Sequence, residues 1–481
     1  MKIEEIVISG FRGFPGPARY DFAFGNAKNL FIYGENGSGK SSLFKAVQEF
    51  FNRQKAAKPF ADFKNDLDPT LQNGTVSFRF DDGTEQNWTF DGDRPVKELP
   101  ASQVALQVGC LDYRSLLETN FSQKGDDVNL FQIAVDSLLP HLEVQSQGRS
   151  QRVGDLWQSV HGSLPRNHQP RNLNRCDNNI KQFNEAFEPL VAPLLTKATE
   201  LLSTFFDPDL ILEADFQKVR YDRDLRRLAD KDLILSVKRG GTELLNHHTI
   251  LNEARLSAIG LVIYLAGLLN SVPAVSNYPK LLVLDDVLVG LDMANRLPVL
   301  KILAEYFADW QIILMTHDQV WYEMVMMDTP PNHWSAYELW LADDGITPQH
   351  RSWPCDANFF IQRAKRHLAE NDQRAAGVYA RAAFEWKVKG FCNNFHVPVP
   401  FVKEIRKLNM EEAWKAAKAR AIEKAGDQPN KAALESSFLT VDLIKKVVLN
   451  PLSHSIPQPL TKTEVQAAIT AVEQLKFDVH P

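Results

Sequence analysis

A mixed α/β head followed by an all-helical domain is the fold class this sequence predicts, and three features predict it. An apolar stretch, Asn29 to Tyr33, runs into a glycine-rich loop, Gly34 to Lys40, and then into a periodic segment, Ser41 to Asn52. A second apolar stretch, Leu281 to Leu284, ends in two acids, Asp285 and Asp286. Beyond Trp353-Pro354 the pattern becomes helical alone. Buried parallel strands read as continuous apolar runs, and strands that alternate with helices build an α/β sheet.

Taken in order, Ile3 to Ile8 reads as a strand and Phe11-Arg12-Gly13-Phe14 as a turn. Asn29 to Tyr33 is a strand of the buried kind. Leu43, Ala46, Val47 and Phe50 share one face of the helix that follows. Residues 75–114 hold short alternating runs, such as Val76 to Phe80, the pattern of a small antiparallel sheet. Residues 125–206 read mostly as helix, with His161 to Asn179, rich in Pro, Asn and Arg, as the loop of a hairpin. Strand character returns at Leu210 to Tyr221 and Asp232 to Val237. Asn252 to Leu269 reads as a helix, and Lys280 to Leu284 and Gln311 to Met315 as strands. Tyr337 to Leu341, a turn at Asp343-Asp344-Gly345 and one more short strand close the head. The expected division is a first lobe at 1–124, a helical hairpin insertion at 125–206, a second lobe at 207–350 and a helical domain at 351–481.

Bulk properties narrow the function classes. The chain has 481 residues, 44% hydrophobic and 24% charged, the balance of a soluble globular protein of several units. Its net charge of −6 gives no global attraction to nucleic acid, although a local basic patch stays open. The 4 cysteines, Cys110, Cys176, Cys355 and Cys392, form no CxxC pair, so neither a zinc site nor a disulfide framework is expected. A reducing cytoplasm is the expected compartment. The longest apolar run, Ala258 to Leu269, is shorter than the about 20 residues a membrane crossing needs. No signal peptide and no membrane partner are expected.

Three motifs carry chemistry. Gly34-Glu35-Asn36-Gly37-Ser38-Gly39-Lys40-Ser41 fits GxxxxGK[ST], set between an apolar strand and a helix as that motif requires. Its glycines let backbone N–H groups wrap phosphates, and the helix N-terminus adds its dipole. Lys40 is expected to reach the β- and γ-phosphates, and the Ser41 hydroxyl to bind Mg²⁺; Ser42 follows on the same turn. Asp285 is placed to hold Mg²⁺, and Asp286 beside it to act as general base or to position water. His317, in Thr316-His317-Asp318 after Gln311 to Met315, is delivered by a strand to the γ-phosphate edge. Each of these alone has a bland counterpart: a glycine turn, an acidic turn, a structural histidine. Their order along one chain is what gives them weight.

In that order the motifs resemble the ABC-type ATPases of the SMC, RecF and OLD group. The resemblance implies an ABC-ATPase head, meaning a P-loop core plus an antiparallel β subdomain, with ATP and Mg²⁺ as cofactors. It places Arg12, in the turn before the P-loop, at the nucleotide. It places a signature segment at Leu251-Asn252-Glu253-Ala254-Arg255, where the family pattern is LSGGQ or LSGGE. Asn252 can replace Ser as helix N-cap, but Glu253 and Ala254 stand where both glycines would be. Gly290-Leu291-Asp292 resembles the D-loop, with Asp292 at a dimer seam. Asp286 replaces the usual Glu, so slow hydrolysis is expected. The Q-loop residue is assigned to Gln107, with Gln103 and Leu111-Asp112-Tyr113-Arg114 in the same window.

Residues 125–206 are too few for a long coiled-coil rod and lack sustained heptads. In that respect the chain looks more like compact ATPases of bacterial anti-phage systems such as Septu, PARIS and retron-associated modules. The implied partners are a second copy of the head, or more, and an effector protein encoded nearby, a nuclease or toxin; nucleic acid stays open. The alternatives are a RecF-like repair ATPase that loads on DNA and an RNase acting through the C-terminal domain. That domain mixes Arg363, Lys365, Arg366, Arg374, Arg381, Lys387 and Lys389 with Tyr379, Phe384 and Trp386. Such a helix pair can bind nucleic acid, but a solvated helix with an aromatic core stripe is the preferred reading. Asn450-Pro451-Leu452-Ser453-His454 resembles the end of a HEPN-type helix, with Asn450 where Arg is expected, so a non-catalytic domain is preferred.

Overall fold

The computed structural model describes residues 2–25, 29–52, 59–65, 73–89, 108–113, 115–116, 123–124, 127–140, 142–146, 148–165, 169–271, 279–328, 333–342, 348–353, 357–398, 410–426, 431–449 and 461–477. The chain divides into two compact units, residues 1–353 and 354–481.

The head is built on a six-stranded sheet. Its strands lie side by side in the order 348–353, Trp334–Leu341, Asn29–Gly34, Gln311–Thr316, Leu281–Asp285 and Val108–Asp112. All neighbours run parallel except the first pair, which is antiparallel. The strand Gln311–Thr316 is thus inserted between the glycine-loop strand and the acidic strand, although it follows both in sequence.

Alternation along these strands explains their unbroken apolar character. Leu30, Ile32, Leu281, Val283, Ile313 and Met315 enter one core, with the helix Lys40–Asn52. Phe31, Leu282, Leu284, Ile312 and Leu314 enter a second, larger core on the other face. A strand that must fill two cores needs apolar residues at odd and even positions alike.

A four-stranded antiparallel sheet, ordered Tyr20–Ala23, Ile3–Ser9, Thr75–Phe80 and Glu85–Thr89, shares the first core. It is joined to the central sheet by a side chain. Gln311 Oε1 accepts from the Ile3 N–H at 2.8 Å, and Gln311 Nε2 donates to the Ile3 carbonyl at 2.7 Å.

The insertion differs from the expected hairpin. Two small antiparallel strand pairs, 123–124 with 127–128 and 143–146 with 149–152, flank a short helical segment at 131–138 and precede two longer helices. The helices are Val153–Gly162 and Pro170–Phe205, the latter 36 residues and about 54 Å long at 1.5 Å per residue. The expected loop His161 to Asn179 is therefore mostly helix. Of its two prolines, Pro170 stands at the first helical turn, where a missing N–H costs nothing. Strands Leu210–Gln217 and Asp232–Arg239 pair antiparallel beyond the long helix.

The buried helix expected near Ala258 to Leu269 is Glu253–Ser271. Among the described residues it is the one helix long and apolar enough to cross a membrane, and most of it is buried in the second core.

The second unit is all-helical: Ala357–Ala369, Gln373–Asn394, Met410–Ala425, Lys431–Ile444 and Lys462–Gln474. Its own core includes Ile361, Phe384, Trp414, Phe438 and Ile469. Thr461 and Glu464 close a reciprocal capping box at the last helix.

Candidate functional site

Parallel strands present their carboxyl ends at one edge, and the loops there are the natural ligand site of an open α/β sheet. Gly34, Asp285 and Thr316 end three adjacent strands, so the glycine loop, the acids and His317 meet at that edge.

The loop is shaped by its glycines. Gly37 and Gly39 hold φ of 88° and 108°, a region closed to most side chains. A Cβ on Gly39 would lie 3.0 Å from the Phe14 ring, so the turn 11–14 packs directly on the loop. The Gly13 N–H donates to Ser42 Oγ at 3.1 Å, which fastens the same turn to the helix. Arg12 sits at φ 46°, its N–H on the Phe63 carbonyl and its own carbonyl accepting from Asn65 Nδ2. Arg12, Glu35, Asn36 and Gly37 are exposed, whereas Ser38, Gly39 and Lys40 are buried.

Lys40 Nζ donates to the carbonyls of Gly34 at 2.7 Å and Glu35 at 3.2 Å, and lies 3.6 Å from Asp286 Oδ2. Ser41 Oγ donates to Asp285 Oδ2 at 3.0 Å. Asp286 Oδ1 accepts from the His317 backbone N–H at 2.8 Å and lies 2.9 Å from His317 Nδ1. Asp286 itself stands at φ 55°, a conformation non-glycine residues adopt at a cost of about 1–3 kcal/mol. Lys40, Ser41, Asp285, Asp286 and His317 thus form one contiguous polar cluster.

Asp285 is the most perturbed member. It is 5% exposed, and its Oδ1 is buried without a hydrogen-bond partner. Burial pushes its carboxyl up to about 6, and the Asp286 charge adds to the rise. The Ser41 hydroxyl and the Lys40 charge oppose it. An orphaned carboxylate oxygen beside a serine hydroxyl is the donor set a hard divalent cation such as Mg²⁺ accepts. Among the described residues no three His, Cys, Asp or Glu cluster to form a metal cage, so phosphate and water would complete the shell.

The signature and D-loop residues form a second group. Asn252 Oδ1 accepts from the Arg255 N–H at 3.0 Å and caps the helix that Glu253 begins. Arg255 Nε turns to Asp207 Oδ2 at 3.1 Å. Gly290 packs against that helix: a Cβ there would meet Ser257 Oγ at 2.2 Å and Glu253 Oε1 at 3.8 Å. Asp292 caps the helix Met293–Tyr306 by accepting from the Asn295 N–H at 3.0 Å.

Several assignments lie outside the described residues: Gln103, Gln107, Arg114, Cys355, the turn 343–345 and the segment 450–454. Sequence reading held Asp112 only as part of the Q-loop window; the sheet register sets it opposite Asp285, and its charge also raises the Asp285 pKa. Arg296 was passed over. Asp112 carried a signal, since it ends a short strand as Asp285 does.

The basic helices of the second unit are largely self-satisfied. Lys365 pairs with Glu473, Arg366 with Glu370 and Arg381 with Glu385. Lys387 Nζ donates to the carbonyls of Glu473 and Leu475. Arg363 lies over the Phe359 ring.

Residues 5–189 match the family described as AAA domain. No curated protein matches the chain. Among solved structures, the Smc head domain of Pyrococcus furiosus, with an extended coiled coil and bound to the C-terminal domain of ScpA, is 13% identical. It covers 77% of this chain and 99% of its own, with a TM-score of 0.42. The recombination mediator RecF with ATP is 11% identical, covering 73% of this chain and 98% of its own, with a TM-score of 0.44. The SMC head domain of Thermotoga maritima is 13% identical, covering 74% and 100%, with a TM-score of 0.34. Likenesses at these scores carry no argument about function. The strand order, the glycine loop and the AAA-domain match together make the first unit a P-loop nucleotide-binding head of mixed α/β fold with an antiparallel β lobe.

Proposed function

We propose that the head binds and hydrolyses ATP with Mg²⁺, and that two copies close jointly on the triphosphate. The observation that carries this is the meeting of Lys40, Ser41, Asp285, Asp286 and His317 at adjacent strand ends. Lys40 exchanges the loop carbonyls for phosphate oxygens. Ser41 and Asp285 would hold the cation, which would supply positive charge against the charge developing on the phosphates. Asp286 Oδ1 is engaged by His317, and Oδ2, 3.6 Å from Lys40 Nζ, accepts the proton of an attacking water once Lys40 has turned to phosphate. His317 fixes that carboxylate and lies at the γ-phosphate edge. Arg12 supplies a further cation from the turn packed on the loop.

A second head contributes its exposed signature and D-loop edge, Asn252, Glu253, Arg255 and Asp292. Hydrolysis removes the shared γ-phosphate contact, so the output is motion rather than a product. The motion controls a partner effector, a nuclease or toxin, in defence against foreign nucleic acid. Two features of the second unit support docking over chemistry. Lys365, Arg366 and Arg381 are paired within the unit, and Leu439 and Leu443 stand 71% and 65% exposed on one helix face.

Titration of the full chain with ATP, with and without Mg²⁺, followed by sizing tests this reading. Mg²⁺-dependent binding and ATP-dependent growth in mass are expected. An unchanged mass at saturating ATP would remove the joint-site part, and stimulation of turnover by gapped DNA would redirect the output from a protein partner to DNA.

A further inference from the structure

We infer that Arg296 is a positioning residue for hydrolysis, acting by locking the segment after Asp286 to the segment after His317. The inference rests on the proposed ATPase site and adds a residue that no motif contains.

Arg296 lies on the helix Met293–Tyr306 and its side chain is 12% exposed. Its guanidinium touches two separate chain segments, 288–291 and 318–321. Nε donates to the carbonyls of Leu288 at 3.1 Å and Leu291 at 2.8 Å. Nη1 donates to Asp318 Oδ2 at 2.5 Å. The group also lies 5.9 Å from the centre of the Trp321 ring. Asp318 is itself fixed: its Oδ1 accepts from the Trp321 N–H, and its N–H donates to Thr316 Oγ1.

These contacts close a ring. Asp286 binds His317 through one oxygen; the next residue, Asp318, binds Arg296; and Arg296 binds the carbonyls of 288 and 291, two and five residues past Asp286. Asp286 at φ 55° is strained and needs holding from both sides. His317 holds its carboxylate, and Arg296 holds the backbone that leaves it. A planar fork with several fixed donors can do this; a lysine ammonium of the same charge cannot span all three acceptors. Because the segment 288–292 carries the exposed D-loop edge, the same ring also ties that edge to the acid.

The experiment is Arg296→Ala and Arg296→Lys in the full chain, each with steady-state ATP turnover, ATP affinity and thermal melting. Both are expected to keep ATP affinity within about twofold. In Arg296→Ala kcat falls about 10²-fold, the effect of a misplacement near 1 Å. Arg296→Lys falls between Ala and wild type. Arg296→Ala with Asp318→Ala is expected to be no slower than Arg296→Ala alone, because the two act as one link. Wild-type kcat in folded Arg296→Ala overturns the inference. So does a loss of kcat matched by the loss of folded protein, or additivity in the double variant. Lys40→Ala serves as the separate control: if it binds ATP normally, the site reading itself is at fault.

Discussion

At the strand ends of the head, Asp285 Oδ1 is buried with no partner, Ser38 Oγ likewise, and Asp286 is held at a left-handed φ. In the helical unit, the buried Lys445 pairs with Glu411 and Asp442, and Asp442 also accepts from Trp414 Nε1 and Lys418. Asp442 is accordingly held below the usual carboxylate range by its hydrogen bonds and cations, against the opposing effect of burial. Asp285 is driven the opposite way, up to about 6. Unpaired buried polar atoms cost stability, so a protein retains them where a ligand completes them. Paired ones hold a fold together. The contrast fits the proposed division, a binding site in the first unit and a scaffold in the second.

Four substitutions sharpen or break that contrast. Lys40→Ala should lower ATP affinity by at least about 10²-fold, since a buried charge-assisted phosphate contact is lost; calorimetric titration reads it. Asp286→Ala should leave ATP affinity near wild type and slow turnover about 10²–10⁴-fold, the range of general acid–base catalysis. Steady-state and single-turnover rates check it, and wild-type turnover removes Asp286 as base. Trp414→Ala should destabilise the helical unit by about 3–5 kcal/mol through the cavity it leaves, without changing ATP affinity. Denaturant unfolding beside a nucleotide titration separates the two readouts, and a change in ATP affinity would break the division of labour.

The smallest effect is at Asp285. Its folded carboxyl, near 6, keeps a proton that the unfolded chain gives up near 3.8. Between those values the folded state binds more protons, so stability falls as pH rises, by about 3 kcal/mol in all. Above pH 6 the loss is complete and stays constant. Asp285→Asn should therefore stabilise the nucleotide-free, metal-free head at pH 7–8 by up to that amount and weaken Mg²⁺-dependent binding. Melting against pH would show no gain if Asp285 were an ordinary surface acid.

Much of the head was legible because its signals are local. A glycine loop between strand and helix, an apolar run ending in acids and a strand ending in His each need a few adjacent residues. The parallel order that inserts Gln311–Thr316 between the other two strands is a long-range matter. So is the register that brings Asp112 beside Asp285, or the reach of Arg296 to Asp318. The stretch His161 to Asn179 was misread on composition: Pro170 starts a helix rather than breaking one. In the second unit, the basic residues read as a solvated face, but their acid partners come from other turns and helices, as Lys365 and Glu473 show.

The Gln311 amide meets the Ile3 backbone with donor and acceptor together, as a neighbouring peptide unit would. The antiparallel lobe is thereby stitched to the foot of the strand whose far end delivers His317. The turn 11–14, which leaves the same lobe, packs on the glycine loop, so a rocking of the lobe would be felt at the loop and at the histidine's strand together.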